Sequence, residues 1–210
     1  MATLLDDIVI REAVTADIDS MTMIIPRAYD ADAFLNFIFP DTPTIRDWWT
    51  KVYTSAIQSP AYTILVAVEE ATVIGVLTLH LYRPENAHLG KRDGICTLVP
   101  LTDDHHQELK KALVEQASDR QKILQEQSNL MIDLLGVDRK YQSKGIGGQL
   151  VKRAGAVADS ESAAIFLQTT QAKAYYLKLA LGFEVRGEDD PNAPGGVIVR
   201  PSPASSRGSQ

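Results

Sequence analysis

The residues from Asn129 to Ala158 constrain the fold of this chain more than any other stretch. Residues 129–137 form an apolar run interrupted only by Asp133, which is typical of a strand covered on both faces. A turn with three glycines follows at 142–148, and apolar side chains then recur at helical spacing. The sequence therefore predicts a strand, a glycine turn and a helix, and the N–H groups at that helix start favour a bound phosphate.

The residues of the turn suit a pyrophosphate. A side chain at Gly145 or Gly147 would hold the phosphates away from the backbone amides, and Lys144 adds a positive charge. The alternative is a loop that only turns tightly into a helix. Two other phosphate motifs do not fit, because Leu150 stands where a dinucleotide fingerprint needs its third glycine, and no Gly-Lys-Ser/Thr completes a P-loop.

Composition excludes several classes of protein. The chain has 210 residues, of which 45% are hydrophobic and 23% charged, as expected for one globular domain. Cys96 is the only cysteine, so an intrachain disulfide and a multi-cysteine zinc site are both excluded. The net charge of −6 argues against a nucleic-acid partner. We expect no membrane association and a cytoplasmic protein, because no apolar run is long enough to span a bilayer and the first residues are acidic.

We expect a single domain over residues 1–200 and a disordered tail over 201–210. Residues 83–128 form an insertion between the third and fourth strands, which we expect to act as a substrate lid or a partner surface. Strands are predicted at 8–14, 62–69, 72–82, 129–137, 163–169, 183–186 and 197–200, and helices at 15–28, 44–58, 101–126, 146–158 and 171–181.

Three further predictions concern aromatic residues and histidines. Residues 34–40 are predicted to form an aromatic connection that packs under the core or lines a pocket. Trp48 and Trp49 are adjacent in a helix, so we expect one of them to lie at the edge of a substrate cleft. His105 and His106 lack the spacing of a ligand pair, and we expect no metal site.

Gln142, Gly145 and Gly147, after an apolar strand that ends at Val137, resemble the acyl-CoA site of the GNAT superfamily of N-acyltransferases. The resemblance extends over about residues 8–200 and is strongest after residue 129. It implies an α/β (α+β) fold, with a single domain whose mixed, mostly antiparallel sheet of about seven strands splays between strands four and five and is flanked by helices. It also implies that acetyl-CoA, without a metal, is bound by Leu135, Gly136, Val137, Gln142, Ser143, Lys144, Gly145, Ile146, Gly147 and Gly148.

Asp133 is the candidate general base. It is the one ionisable residue in the buried part of its strand, and burying a carboxylate is costly unless it is paired or solvated. A cleft would offer that solvation, and the carboxylate would then accept the amine proton through water. Two alternatives are that Asp133 binds the ammonium group of the substrate, or that it makes a structural hydrogen bond.

The family usually carries a tyrosine four residues before the glycine of a Gly-Phe pair, where its hydroxyl reaches the CoA sulfur. Lys178 holds that position here, which departs from the pattern. Tyr175 lies about 60° from the expected helix face and Tyr176 about 160°. A two-residue insertion at the helix end would instead bring Tyr176 to the expected position in a better matching context. Both are candidate general acids and Tyr176 is preferred; the alternative is that both pack structurally.

The resemblance therefore predicts an N-acetyltransferase that moves an acetyl group from acetyl-CoA to the amine of a small molecule, as a monomer or homodimer. A second hypothesis is a CoA-binding sensor or scaffold without turnover, which the displaced tyrosine permits. A third is a peptide or protein N-acetyltransferase.

Overall fold

The computed structural model describes residues 8–84, 95–97, 99, 103–169, 181–186 and 196–201. Its strands are β1 (Val9–Glu12), β2 (Tyr62–Glu69), β3 (Thr72–Tyr82), β4 (Asn129–Val137), β5 (Ala164–Thr169), β6 (Glu184–Arg186) and β7 (Gly196–Arg200). Its helices are α1 (Ile18–Ala28), α2 (Ala33–Ile38), α3 (Pro43–Ile57), α4 (Asp103–Leu124) and α5 (Ile146–Ser160).

The seven strands form one mixed sheet in the order β1–β2–β3–β4–β5–β7–β6. Every neighbouring pair is antiparallel except β4 and β5. The parallel pair is joined only from Asn129 to Met131, whereas β4 stays paired with β3 up to Val137 with one interruption. The predicted fold class, with a sheet splayed between its fourth and fifth strands, is confirmed.

Helices cover both faces of the sheet, which explains why β2, β3 and β4 are nearly continuous apolar runs. On one face, α1 and α3 enclose a core that also includes Ile95 and Cys96. On the other face, α5 packs with Ile146, Leu150 and Ala154 against the central strands. Leu124, at the end of α4, packs on this first face against β4, β5 and β7.

The hairpin between β2 and β3 turns through Glu70 and Ala71. Glu70 and Ala71 both have positive φ, at 46° and 69°. Two such residues in a row match the right-handed twist of the flanking strands. The predicted boundaries of both strands agree with the structure.

Two predictions about aromatic residues need correction. The predicted connection at 34–40 contains a helix, α2, whose start is capped by Asp32. The expectation that one of the two tryptophans lies at a cleft edge was wrong, because Trp49 is fully buried and Trp48 is only 6% exposed. Trp48 is covered because its Nε1 donates to the Val99 carbonyl at 2.9 Å, so the insertion shields that side of α3.

Candidate active site

The splay leaves one edge of β4 open. No described residue of β5 pairs with β4 beyond Met131, and we call the edge from Ile132 to Val137 that faces away from β3 the open edge. The N–H of Asp138 donates to the Ile74 carbonyl at 2.9 Å, so position 138 is directed towards β3. Because successive residues of a strand alternate in direction, Leu135 and Val137 present their backbone groups to the open edge.

A β-bulge interrupts β4 at Asp133. Leu134 pairs with Thr78 and Ile132 pairs with Leu79, so Asp133 has no counterpart in β3. Such an extra residue re-aims the side chains around it and is often found beside functional sites. Here it directs Asp133 and Leu134 to the same face, which is the one covered by α1 and α3.

The two oxygens of the Asp133 carboxylate differ in their hydrogen bonding. Oδ2 accepts the backbone N–H of Ile95 at 2.8 Å. Oδ1 is shut off from solvent and has no hydrogen-bond partner among the described residues. Burial raises the pKa of Asp133 to about 7, against the opposing effects of the Ile95 N–H and the positive charge of Arg120. A carboxyl group with this pKa can accept and release a proton near neutral pH.

The insertion supplies both groups that act on this carboxylate. Ile95 lies in a short 3₁₀ turn, and Arg120 lies on α4, where its guanidinium packs 4.8 Å from the ring centre of Tyr82. Arg120 is only 9% exposed, although most of α4 is polar. Sequence reasoning named neither residue, since nothing in the local pattern shows that the arginine of this polar helix turns inward.

Two further polar side chains are buried close to this site. Burial and then the charge of Asp133 raise the pKa of the Cys96 thiol well above its usual value. Burial and then the neighbouring Cys96 raise the pKa of Tyr53, whose hydroxyl has no hydrogen-bond partner among the described residues. Both groups therefore stay neutral, and Asp133 is the group of this set that titrates near pH 7.

The glycine turn lies at the other end of the open edge. Gly145 has φ +83° and precedes the first residue of α5, and a Cβ built there would meet no atom within 4 Å. The first hydrogen bond of the helix runs from the Gln149 N–H to the Gly145 carbonyl at 3.1 Å. The amides of residues 146–148 therefore precede that bond, and helix-start amides of this kind favour a bound anion.

The other residues predicted for the turn have different surroundings. A Cβ at Gly147 would lie 3.7 Å from Leu135, which is ordinary contact. Ser143 adopts a positive φ of 62°, and the Lys144 ammonium lies 4.9 Å from the ring centre of Tyr141. Gly148, Ile146 and the side chain of Leu135 belong to the α5 side of β4.

Gly136 and Gln142, also predicted to contact the donor, make structural contacts. A Cβ at Gly136 would lie 2.8 Å from Ile25 Cδ1, so this glycine allows α1 to approach β4 closely. The side-chain amide of Gln142 donates to the Val137 carbonyl at 3.0 Å and to the Ala28 carbonyl at 3.2 Å. Any contact of Gln142 with a phosphate would therefore use its backbone.

The end of α1 is fastened across the open edge, and we call these contacts the α1 clasp. It comprises the two bonds of Gln142, the ion pair of Arg139 with Asp30, and the hydroxyl of Tyr29, which donates to the Leu135 carbonyl at 2.5 Å. Burial raises the pKa of Tyr29 to about 12, so its hydroxyl stays protonated. Sequence reasoning missed Tyr29, which is 106 residues away from its partner.

Two sequence predictions fall outside or beside this site. Tyr175 and Tyr176, the candidate general acids, lie outside the described residues. The ring of His105 packs 5.0 Å from that of Phe37 on α2.

Among the described residues, no group of three or more His, Cys, Asp or Glu side chains is placed to hold a metal ion. None of the described helices has the length and apolar character needed to cross a membrane.

A splayed sheet beside a glycine turn at a helix start defines an α/β protein whose helix-start amides lie next to an open strand edge. The chain matches the model of the acetyltransferase (GNAT) family over residues 27–183, and it belongs to that family. GNAT acetyltransferases are transferases that use acetyl-CoA. No curated protein sequence matches the chain.

Solved structures with the same fold come from distant sequences. Arylalkylamine N-acetyltransferase 2 from Aedes aegypti is 15% identical with a TM-score of 0.63, and the match covers 92% of this chain and 98% of that one. PaiA N-acetyltransferase from Thermoplasma acidophilum, in complex with coenzyme A, is 13% identical with a TM-score of 0.54, over 92% and 98% of the two chains. Histone acetyltransferase HPA2 and related acetyltransferase from Corynebacterium glutamicum is 16% identical with a TM-score of 0.57, over 93% and 97%. These similarities show the fold alone.

Proposed function

We propose that this protein is an N-acetyltransferase that moves the acetyl group of acetyl-CoA to the amine of a small molecule. The observation that carries the proposal is Asp133, a carboxylate with a pKa of about 7 at the bulge of β4, on the same strand as the open edge that leads to the glycine turn. The arrangement offers an anion site for the donor and a proton acceptor for the acceptor amine at opposite ends of one strand segment.

The donor half of the site fits a pyrophosphate. The amides of residues 146–148 are directed to one place at the start of α5, and the space beside Gly145 is open. Lys144 adds an exposed positive charge. The backbone of Leu135 and Val137 would hold the pantetheine arm, since an exposed strand edge pairs readily with an extended chain carrying amides.

In the reaction, the neutral amine attacks the thioester carbonyl, so that the new C–N bond forms as the C–S bond breaks. Asp133 accepts the proton that leaves the amine, through water, and the thiolate takes a proton from Tyr176 or Tyr175. Placing both substrates along one strand supplies much of the rate, because orienting two bound reactants is worth roughly 7–11 kcal/mol at best. In the alternative role, the ionised carboxylate of Asp133 binds the ammonium group of the substrate. A water molecule then takes the proton that the amine releases.

The burial of Asp133 favours a small acceptor. Its Oδ1 has almost no solvent-accessible surface, and the insertion covers it through Ile95 and Arg120. An acceptor would have to enter past this cover, which a small amine can do with less displacement of the insertion than a folded protein surface. Two proteins with a similar fold, arylalkylamine N-acetyltransferase among them, are named for amine substrates. Their names agree with a small amine acceptor, but the proposal does not rest on them.

A protein N-acetyltransferase is the second candidate. One similar fold is described as a histone acetyltransferase, and an extended N-terminal segment would also be narrow enough to reach Asp133. A CoA-binding sensor is the third, because the family position for the acid is Lys178. Release of the CoA thiol from acetyl-CoA, measured with a panel of small amines and a panel of peptides, separates the three.

The enzyme proposal predicts thiol release with at least one small amine and none with the peptides alone. Turnover with peptides only would favour the second candidate. Tight CoA binding without turnover on either panel would favour the sensor.

A Gly145→Trp variant tests the donor site. It should abolish CoA binding in isothermal titration, because the indole would fill the space beside the amides. Gly182→Trp is the matched control, since Gly182 also has a positive φ of 71° and no atom within 4 Å of an added Cβ. If Gly145→Trp retains the wild-type affinity, the assignment of the pyrophosphate to this turn is wrong.

The general acid is tested by changing each tyrosine singly to phenylalanine. Loss of the acid should lower the rate at least about tenfold without weakening CoA binding. If neither Tyr175→Phe nor Tyr176→Phe has this effect, the thiolate is not protonated directly by these residues.

A further inference from the structure

Along the open edge of β4, the backbone carbonyls and the backbone N–H groups differ in their hydrogen bonding. The Leu135 carbonyl accepts the Tyr29 hydroxyl at 2.5 Å, and the Val137 carbonyl accepts the Gln142 amide at 3.0 Å. The carbonyls of Leu135 and Val137 are thus both engaged by side chains of the α1 clasp. The N–H groups of the same two residues face the same edge.

A pantetheine arm carries two amides, and each amide has one N–H donor and one carbonyl acceptor. An arm that pairs with an exposed strand uses both kinds of bond. Its carbonyls would meet the N–H groups of Leu135 and Val137 directly. Its N–H groups would meet carbonyls that already have donors, at a short bond in the case of Tyr29.

We propose that Tyr29 controls how the donor arm binds, because its hydroxyl and an amide N–H of the arm compete for the carbonyl of Leu135. This inference rests on the proposed function, since it takes the arm to lie along the open edge. Tyr29 is a positioning residue in this scheme and touches the strand rather than the reacting atoms. It sets the affinity for the arm and leaves the glycine turn unchanged.

The surroundings of Tyr29 make the competition effective. Tyr29 directly follows the last residue of α1, and the next residue, Asp30, pairs with Arg139, so its position is fixed from both sides. The buried hydroxyl remains a donor because its pKa is raised to about 12. An arm that takes the carbonyl must therefore displace a protonated and well-placed hydroxyl.

Tyr29→Phe tests this inference by calorimetric titration with two ligands. One is coenzyme A, and the other is 3′-phosphoadenosine 5′-diphosphate, which has the phosphates but lacks the arm. Removing one competing hydrogen bond should lower the Kd of coenzyme A about three- to tenfold and leave that of the second ligand unchanged. Tyr82→Phe, at the opposite end of the β3–β4 pair, is the control for loss of a tyrosine hydroxyl.

Each other result overturns the inference. An unchanged or higher Kd for coenzyme A means that Tyr29 does not compete with the arm, and an equal change for both ligands means that it acts through the fold. Tyr29→Leu also lacks the hydroxyl and serves if Tyr29→Phe is unstable by thermal melting. Failure of the wild-type protein to bind coenzyme A would instead refute the proposed function, so the two failures are distinguishable.

Discussion

The two ends of the open edge of β4 present different chemistry. At the glycine turn, the groups that face solvent are backbone amides, and the space beside Gly145 is open. At the bulge, the group is a side chain, Asp133, which is enclosed by elements from across the chain. Backbone amides bind any phosphate of suitable shape, whereas a buried carboxylate depends on the neighbours that set its pKa. The glycine turn therefore suits the donor, which is the same in every reaction, and the bulge suits an acceptor that the enclosing residues select.

The largest effect should come from Asp133→Asn. The amide keeps the shape of the side chain but cannot accept the amine proton, so kcat/KM should fall at least about 100-fold while the Kd of coenzyme A stays within about twofold. Steady-state kinetics and calorimetric titration measure the two quantities. If kcat/KM and the affinity for coenzyme A fell by the same factor, the two ends of the strand would not have separate roles.

Two glycines separate donor binding from packing. Gly147→Ala should weaken coenzyme A about tenfold and leave Tm unchanged, because its Cβ would meet protein atoms only at 3.7 Å but would crowd the amides proposed to hold the phosphates. Gly136→Ala should lower Tm by about 3–10 °C, because its Cβ would clash with Ile25 at 2.8 Å. Melting curves and titrations of both variants are the measurement. The same pattern in both variants would show that the glycines share one role.

The acceptor end should respond to the charge of Arg120. If ionised Asp133 is the base, kcat/KM rises as the pH increases through a pKa of about 7. Arg120 lowers that pKa, so in Arg120→Met the rise should move to higher pH. Lys122→Met is the control on the same helix, because its ammonium is exposed and pairs only with Asp119 among the described residues. An unmoved profile in Arg120→Met would mean that Asp133 is not the titrating base.

The smallest effect should come from Lys144→Met at the donor end. The ammonium of Lys144 is exposed and packs over Tyr141, so its attraction for the phosphates is screened by salt. We expect about threefold weaker binding of coenzyme A at low ionic strength and no difference at about 1 M salt. A loss that persists at high salt would indicate a direct contact rather than a general charge effect.

The parts of the site that could be predicted from the sequence are those built from neighbouring residues. The β4 strand, the glycine turn and the start of α5 depend on local alternation, glycine conformation and helical spacing, and they lie where the pattern placed them. Asp133 stood out because a carboxylate interrupts an apolar run. Its role is still a prediction, as are those of the other named site residues.

The missed features depend on contacts between distant elements. Tyr29 reaches Leu135, and Ile95 reaches Asp133, only after the sheet has assembled. The burial of Trp48 likewise depends on Val99, which comes from the insertion. The bulge itself follows from pairing with β3, and a single strand read alone does not reveal which of its residues lacks a partner.

The bulge also makes Asp133 an addition to the sheet rather than a part of it. Ile132 and Leu134 pair with consecutive residues of β3, Leu79 and Thr78. Deleting Asp133 would therefore leave a regular ladder with every later side chain on its present face. A chain without the carboxylate could keep the whole fold and the glycine turn. If Asp133 is the base, loss of this one residue would leave a protein that keeps the donor site without the proton acceptor.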